Sequence, residues 1–282
     1  MFDFRYHVVS LAAVFLALVL GILVGVAISD PELDRRIDNA ALREQVGRLQ
    51  DDLDSAERRS ERGQAAEDYV ERTYESVLRD RLAGKKVAVL FVGGANDGVE
   101  EAVEEVVDRA GGTLVRERAI QVPVADGIEQ QLDPAESSPS NAGRALGREF
   151  VVGGETPTWD ALEGQLVLQQ SGSLTDEVDA VVVARTAEPQ GGDTARFLRG
   201  VYEGLEGAVP AVGVEETGAD PSFVPALRAF DDFSTVNNVE TRVGRLALAL
   251  LLAGEPQGRH YGVDAPDGVL PPVEPVTAPP AS

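Results

Sequence analysis

The sequence predicts an α/β protein: a globular domain with a mostly parallel sheet and helices on both faces, preceded by an apolar N-terminal helix and a coiled-coil stalk. Three observations predict it. The run Val8–Ile28 carries no charge and a single hydroxyl side chain, Ser10. Residues 31–82 hold no proline after Pro31 and only two glycines, Gly47 and Gly63, and are rich in Glu, Arg, Gln and Leu. Beyond residue 84, short apolar runs alternate with stretches of helical period, the pattern of strands joined by crossover helices.

The first run sets the surroundings in which the rest of the chain works. At ~1.5 Å rise per residue it makes a helix of roughly 30 Å, the thickness of a bilayer's hydrocarbon core. Residues 1–29 are therefore expected to be a transmembrane anchor. A cleaved export signal has a basic start and an apolar core of roughly 7–15 residues; this core is longer, and Arg5 is the only strong base before it. Small residues recur every fourth position, at Ala13, Ala17, Gly21, Gly25 and Ser29. Such a ladder lets two membrane helices approach closely. Arg5 precedes the span and Arg35, Arg36 and Arg43 follow it, so the positive-inside count does not fix the orientation.

Ser29-Asp30-Pro31 ends the span and starts a new helix, with a capping side chain and proline at the first position. Residues 30–83 read as a stalk. A heptad places Val46, Leu53 and Tyr74 at a, and Leu42, Leu49, Ala56, Val70 and Val77 at d. The seam is interrupted at Ser60, Gly63 and Glu67. A continuous stalk would reach roughly 78 Å. In a parallel homodimer Asp52 at g would meet Glu57 at e, which repels. The seam thus fits a homo-oligomer or, better, a complex with a partner helix whose e and g positions are basic.

Residues 84–262 form the α/β domain. Lys86–Val92 (KVAVLFV) is a buried strand ending in Gly93-Gly94, and Gly98–Ala110 is a helix through Val99, Val103, Val106 and Val107. Leu114–Gln121 is the second strand. Residues 122–150 are mostly loop with a short helix near Ala142–Phe150, and 158–168 are helical around Trp159, Leu162 and Leu166. Asp179–Arg185 is a strand, Thr194–Leu205 a helix, Val209–Val214 a strand and Val239–Leu252 the last helix. That last segment, though apolar, is too short to span a bilayer. The order is Rossmann-like. The Pro-rich stretch 263–282 is expected to be disordered.

Composition removes several kinds of chemistry. The chain has 282 residues and no cysteine, so disulfides, thiolate metal sites and cysteine nucleophiles are excluded. Its net charge is −23, of which −18 lies in residues 84–282. Such a surface repels nucleic acid and anionic lipid and attracts cations or a basic partner. The turn Gly93-Gly94-Ala95-Asn96-Asp97-Gly98 invites a nucleotide, but it satisfies neither GxGxxG nor a P-loop. Glu100, Glu101, Glu104 and Glu105 crowd the helix start, which suits the helix dipole and repels phosphate. The two histidines, His7 and His260, lie far apart, and no GxSxG occurs, so a nucleophile triad has no support. We expect no enzyme and no evident cofactor. His260, with Asp264 and Asp267, is the one weak metal candidate, suited to Cu(II) or Zn; soft Cu(I) would need thiolate or thioether ligands, and Met1 is the only methionine.

Three patches carry a family resemblance: Phe4-Arg5-Tyr6-His7-Val8-Val9-Ser10 running through Leu18 to Gly21 and Gly25; Ser234-Thr235-Val236-Asn237-Asn238-Val239-Glu240-Thr241 followed by Gly244–Leu248; and His260-Tyr261-Gly262 followed by Leu270-Pro271. Together they resemble the actinobacterial MctB-type "copper transporter" family. The resemblance implies a single-pass protein of the cytoplasmic membrane in a Gram-positive envelope, its globular domain outside, with a role in copper homeostasis. It supplies no catalytic residues. One span without a polar lining cannot by itself enclose a conduit, and the chain lacks the alternating strands of a membrane barrel.

Overall fold

The structure is a computed structural model and describes residues 4–26, 48–50, 73–132, 138–254 and 257–273. The chain divides into two compact units, Met1–Ala65 and Ala66–Ser282.

In the first unit, α1 (Phe4–Val26) is a helix with no acidic residue in its first turn and no basic residue in its last. Its side chains are described over 12–24, where Val14, Phe15, Leu16 and Leu18 are exposed. No helix among the described residues is long and apolar enough to cross a membrane. The expected transmembrane span is therefore not established by the structure. Ala13 and Ala17 are exposed, and a methyl group at Gly21 would meet nothing within 4 Å. Ser29 lies outside the described residues, as do the seam positions Leu42, Val46, Leu53, Ala56 and Val70. Leu49, within the helical residues 48–50, is exposed.

The second unit is Ala66–Ser282. Helical residues 73–78 (α2) carry Tyr74 and Leu78 into the core, with Leu82 in the turn that follows. Tyr74 is fully buried and Val77 packs against the same core. Heptad spacing places both on a seam with another chain; within this unit Tyr74 lies in the domain core and the partly buried Val77 rests against it. Tyr74 and Leu78, four residues apart, face the same side of α2.

Seven strands form one sheet in the order β3-β2-β1-β4-β5-β6-β7. They are β1 (Lys86–Val92), β2 (Thr113–Ile120), β3 (Val167–Gly172), β4 (Ala180–Arg185), β5 (Ala211–Val214), β6 (Phe233–Val236) and β7 (His260–Tyr261). β3 runs antiparallel to β2 and every other pair is parallel. The central strands are apolar throughout because both faces are covered. On β1, Val87, Val89 and Phe91 enter one core, while Ala88, Leu90 and Val92 enter the other.

The first core is covered by α2, α3 (Asp97–Arg109) and α8 (Arg242–Ala253). Asn96 caps α3 by accepting from Val99 N at 2.9 Å, and Thr241 caps α8 by accepting from Gly244 N at 3.0 Å. Each satisfies an otherwise orphaned first-turn amide. Arg245 of α8 ties the two helices through Glu105. The second core lies under α4 (Pro139–Val152), α5 (Pro157–Leu166), α6 (Gly192–Leu205) and the single turn α7 (Val224–Leu227). A 3-10 turn, η1 (Ile128–Gln131), precedes α4.

Two GxxxG segments, Gly143–Gly147 on α4 and Gly200–Gly204 on α6, press their helices together. A Cβ at Gly143 would collide with Phe197 O and one at Gly147 with Val201 O; reciprocally, Gly200 faces Ser140 O and Gly204 faces Arg144 O. Only hydrogen fits between these backbones.

Residues 263–273 of the stretch expected to be disordered are placed: Gly262 N donates to Gly268 O at 3.0 Å, Leu270 packs on the core and Pro271 is buried. Residues 274–282 lie outside the described residues.

The glycine contact yields a prediction. Gly200→Ala must separate α4 from α6, because the obstacle is backbone rather than a flexible side chain. Overpacking of this kind costs about 1–3 kcal/mol, so the thermal midpoint by circular dichroism should fall by roughly 3–10 °C. Gly164→Ala, where the added methyl meets nothing within 4 Å, should leave the midpoint unchanged or slightly raised.

Candidate functional site

Open α/β sheets hold ligands beyond the carboxyl ends of their strands, where strand order reverses. Here that point lies between β1 and β4, since β2 is added on one side of β1 and β4 on the other. It is closed. Thr186 N and Ala187 N both donate to Val92 O, at 3.0 and 3.2 Å, and Thr186 Oγ1 donates to Gly94 O at 2.7 Å. Gly93 has φ 106°. A Cβ there would collide with Thr186 Oγ1 and stand 2.9 Å from Ala187 N. The glycine thus admits the neighbouring chain rather than a phosphate. Two amides of the turn are also engaged, Gly93 N with Ile120 O and Ala95 N with Gln169 Oε1, and just beyond it Val99 N is held by Asn96. At the amino end of α3, the Glu216 carboxylate would lie 2.9 Å from a Cβ on Gly98. It stands beside Asp97 and Glu100 where an anion would have to enter.

An open groove of about 700 Å³ lies on this side of the sheet, between α3 and the β2–β3 edge. Glu101, Glu104, Glu105 and Asp108 line it from the helix, with Glu117 and Ser171 from the strands. Glu105 is neutralised by Arg245 and by Arg109 Nε at 3.0 Å. Glu117 is different. Its carboxylate accepts from Ser171 Oγ at 3.1 Å through Oε2, while Oε1 is buried without a partner among the described residues. Burial, then the Glu100 and Glu104 charges, raise its pKa above the ordinary carboxylate value, with the Ser171 hydroxyl opposing. The arrangement favours a cationic group that would neutralise it.

On the opposite face of β2, Arg116 and Arg118 are buried. Arg116 donates to Phe150 O at 2.7 Å and lies over the Phe150 ring. Arg118 donates to Ser171 O at 2.5 Å and Gly172 O at 3.1 Å, clamping the edge strand in place. Sequence reasoning missed Glu117 and both arginines. Their signal is the alternation RER inside an otherwise apolar strand.

His260 sits on edge strand β7. Its Nδ1 is 3.0 Å from Thr235 Oγ1, and its backbone N donates to Asp267 Oδ2 at 2.8 Å. Burial, then the Arg228 charge, lower its pKa below the ordinary imidazole value, with Asp267 opposing. Asp267 faces the His260 backbone and Arg259, and Asp264 is exposed. Among the described residues no group of three His, Cys, Asp or Glu side chains could hold a metal ion.

The two later sequence patches meet in space. Asn237, beyond β6, accepts from Val263 N at 2.8 Å and donates to Val263 O at 2.9 Å. Gly262 leaves room for that side chain, and Gly244 lets α8 approach Asn238 O. The family model described as "Copper transport outer membrane protein, MctB" matches residues 1–272. The chain belongs to the MctB family. Among its MctB relatives are proteins named "Copper transporter MctB" from Mycobacterium bovis and from two strains of Mycobacterium tuberculosis. Each is 27% identical over 303 aligned positions, covering 93% of this chain and 95% of the relative.

The Glu117 environment fixes a pH dependence in this MctB-family domain. Its pKa is raised on folding, so its charged form destabilises the fold; the penalty is absent at low pH and grows as pH rises through the raised pKa. Glu117→Gln keeps a partner for Ser171 and should raise the thermal midpoint at pH 7. The gain should vanish below about pH 4, near the unperturbed carboxylate value. A lower midpoint for the variant at pH 7 would contradict this account.

Proposed function

We propose that this protein is a non-enzymatic scaffold of the cell envelope, held at the cytoplasmic membrane as a single-pass protein. The apolar run Val8–Ile28 is its anchor, the region after it a stalk, and the α/β domain an extracytoplasmic recognition head. The ladder from Ala13 to Ser29 and the seam around Leu42–Ala56 associate with a second copy or with another envelope protein. The observation that carries the reading is the sealed crevice at Val92, Thr186 and Ala187. It takes away the place where this topology holds a cofactor and leaves the acidic groove as the binding surface. The partner is then a protein presenting a basic segment, and the link to copper runs through that partner. Crosslinking the full chain in membranes tests this. Glu101→Lys with Glu104→Lys should abolish the crosslinks made through the α/β domain while leaving those made through the anchor and stalk, and the circular dichroism spectrum, intact; unchanged crosslinks through the α/β domain would sink the reading.

The relatives' printed name, "Copper transporter MctB", favours a second reading in which the chain acts on the metal directly, with copper as cargo and His260 as a ligand. Cu(II) titration of the full chain separates the two. The scaffold reading predicts no stoichiometric sub-micromolar binding, whereas direct action predicts such binding and its loss in His260→Ala.

A further inference from the structure

On the other face of the sheet from the acidic groove, a cavity of about 280 Å³ opens between α6 and α7 at the end of β4. Its walls are apolar and aromatic: Leu198 and Tyr202 of α6, Ala226 of α7 and Phe230 beyond it. Tyr202 and Phe230 meet edge to face, ring centroids 5.8 Å apart. Two arginines line it, Arg185 at the end of β4 and Arg199 at the rim, and no acidic residue does among the described lining. In a chain with 48 acidic and 25 basic side chains, that local reversal of sign is specific.

The two arginines are not equivalent. Arg199 is paired with Glu203 at 3.1 Å and is largely exposed. Arg185 donates one hydrogen bond, to Pro221 O at 3.2 Å, and lies 5.4 Å from the Phe223 ring centroid. It has no carboxylate partner among the described residues, which leaves charged N–H donors for a ligand. Tyr202 is buried; burial holds its hydroxyl protonated, with Arg185 near enough to oppose that effect. A cavity of ~150 Å³ takes benzene, so this one has room for an aromatic ring and a charged substituent. A guanidinium facing an apolar slot recognises a planar carboxylate with two parallel hydrogen bonds.

We propose that this cavity binds a small organic anion with an apolar body, an aryl or branched-chain carboxylate, whose acid group is held by Arg185 and whose body packs on Tyr202 and Phe230. The site is independent of the groove and of the scaffold reading. The test uses benzoate as probe and benzylamine as its cationic counterpart, titrated by calorimetry into the full chain in detergent. Benzoate should bind saturably, at about millimolar affinity or better, and benzylamine should not. Arg185→Gln should weaken benzoate by at least about tenfold. Ala226→Phe, which fills the cavity from an exposed position and leaves the charge intact, should abolish binding. Equal binding of the two probes would overturn the proposal. So would no saturable benzoate binding up to about 10 mM, or benzoate binding unchanged in Ala226→Phe.

Discussion

Two backbone amides, those of Thr186 and Ala187, converge on one carbonyl, Val92 O, where the sheet reverses its strand order. Everything about how this domain can bind follows from that junction. The usual crevice of an open α/β sheet exists because the chains leaving the two central strands diverge. Here they are stitched together, and Gly93 contributes by having no side chain to hold them apart. Binding chemistry is displaced to the flanks. On one face lies a groove lined by carboxylates; on the other lies an apolar cavity lined by a guanidinium, Arg185, that has no carboxylate partner among the described residues.

Those flanks depend on how the helices are set. The carbonyls of α6 and the glycines of α4 interlock, and the reverse holds within the same contact. The close approach fixes α6 over the second core, and the cavity beside Tyr202 takes its shape from that placement. On the first core, the Arg245–Glu105 pair joins α8 to α3 and takes one carboxylate out of the groove's charge. Arg118 secures the groove's outer wall by clamping β3 to β2 through carbonyls rather than through a counter-charge.

Much of the domain was legible in the chain. β1 carries the limits Lys86–Val92 that its apolar run marks, and α3, α6 and α8 follow their valine and leucine periodicity. The missed elements share a cause. β6 is four residues with two polar side chains, β7 is two residues, and β3 is an exposed strand whose glutamines and serine show no alternation. Register comes to them from neighbouring strands, which a local pattern cannot reveal. Tyr74 shows a different limit: a side chain that fits a heptad also fits a four-residue stripe, and only the presence of the domain decides. The pairing of Gly143–Gly147 with Gly200–Gly204 was written in the same spacing as Gly21–Gly25, but its partner lies over fifty residues away. Of the candidate site, the acidity was visible and the half-buried Glu117 was not, since burial is a property of the folded sheet.

The sealed junction is tested most directly by amide hydrogen exchange at Thr186 and Ala187. If both amides are held by Val92 O, they should exchange nearly as slowly as the interior of β1 and β4, because only a large opening would release them. Exchange at the rate of an open loop would contradict the account, and would reopen the crevice between β1 and β4 as a binding site.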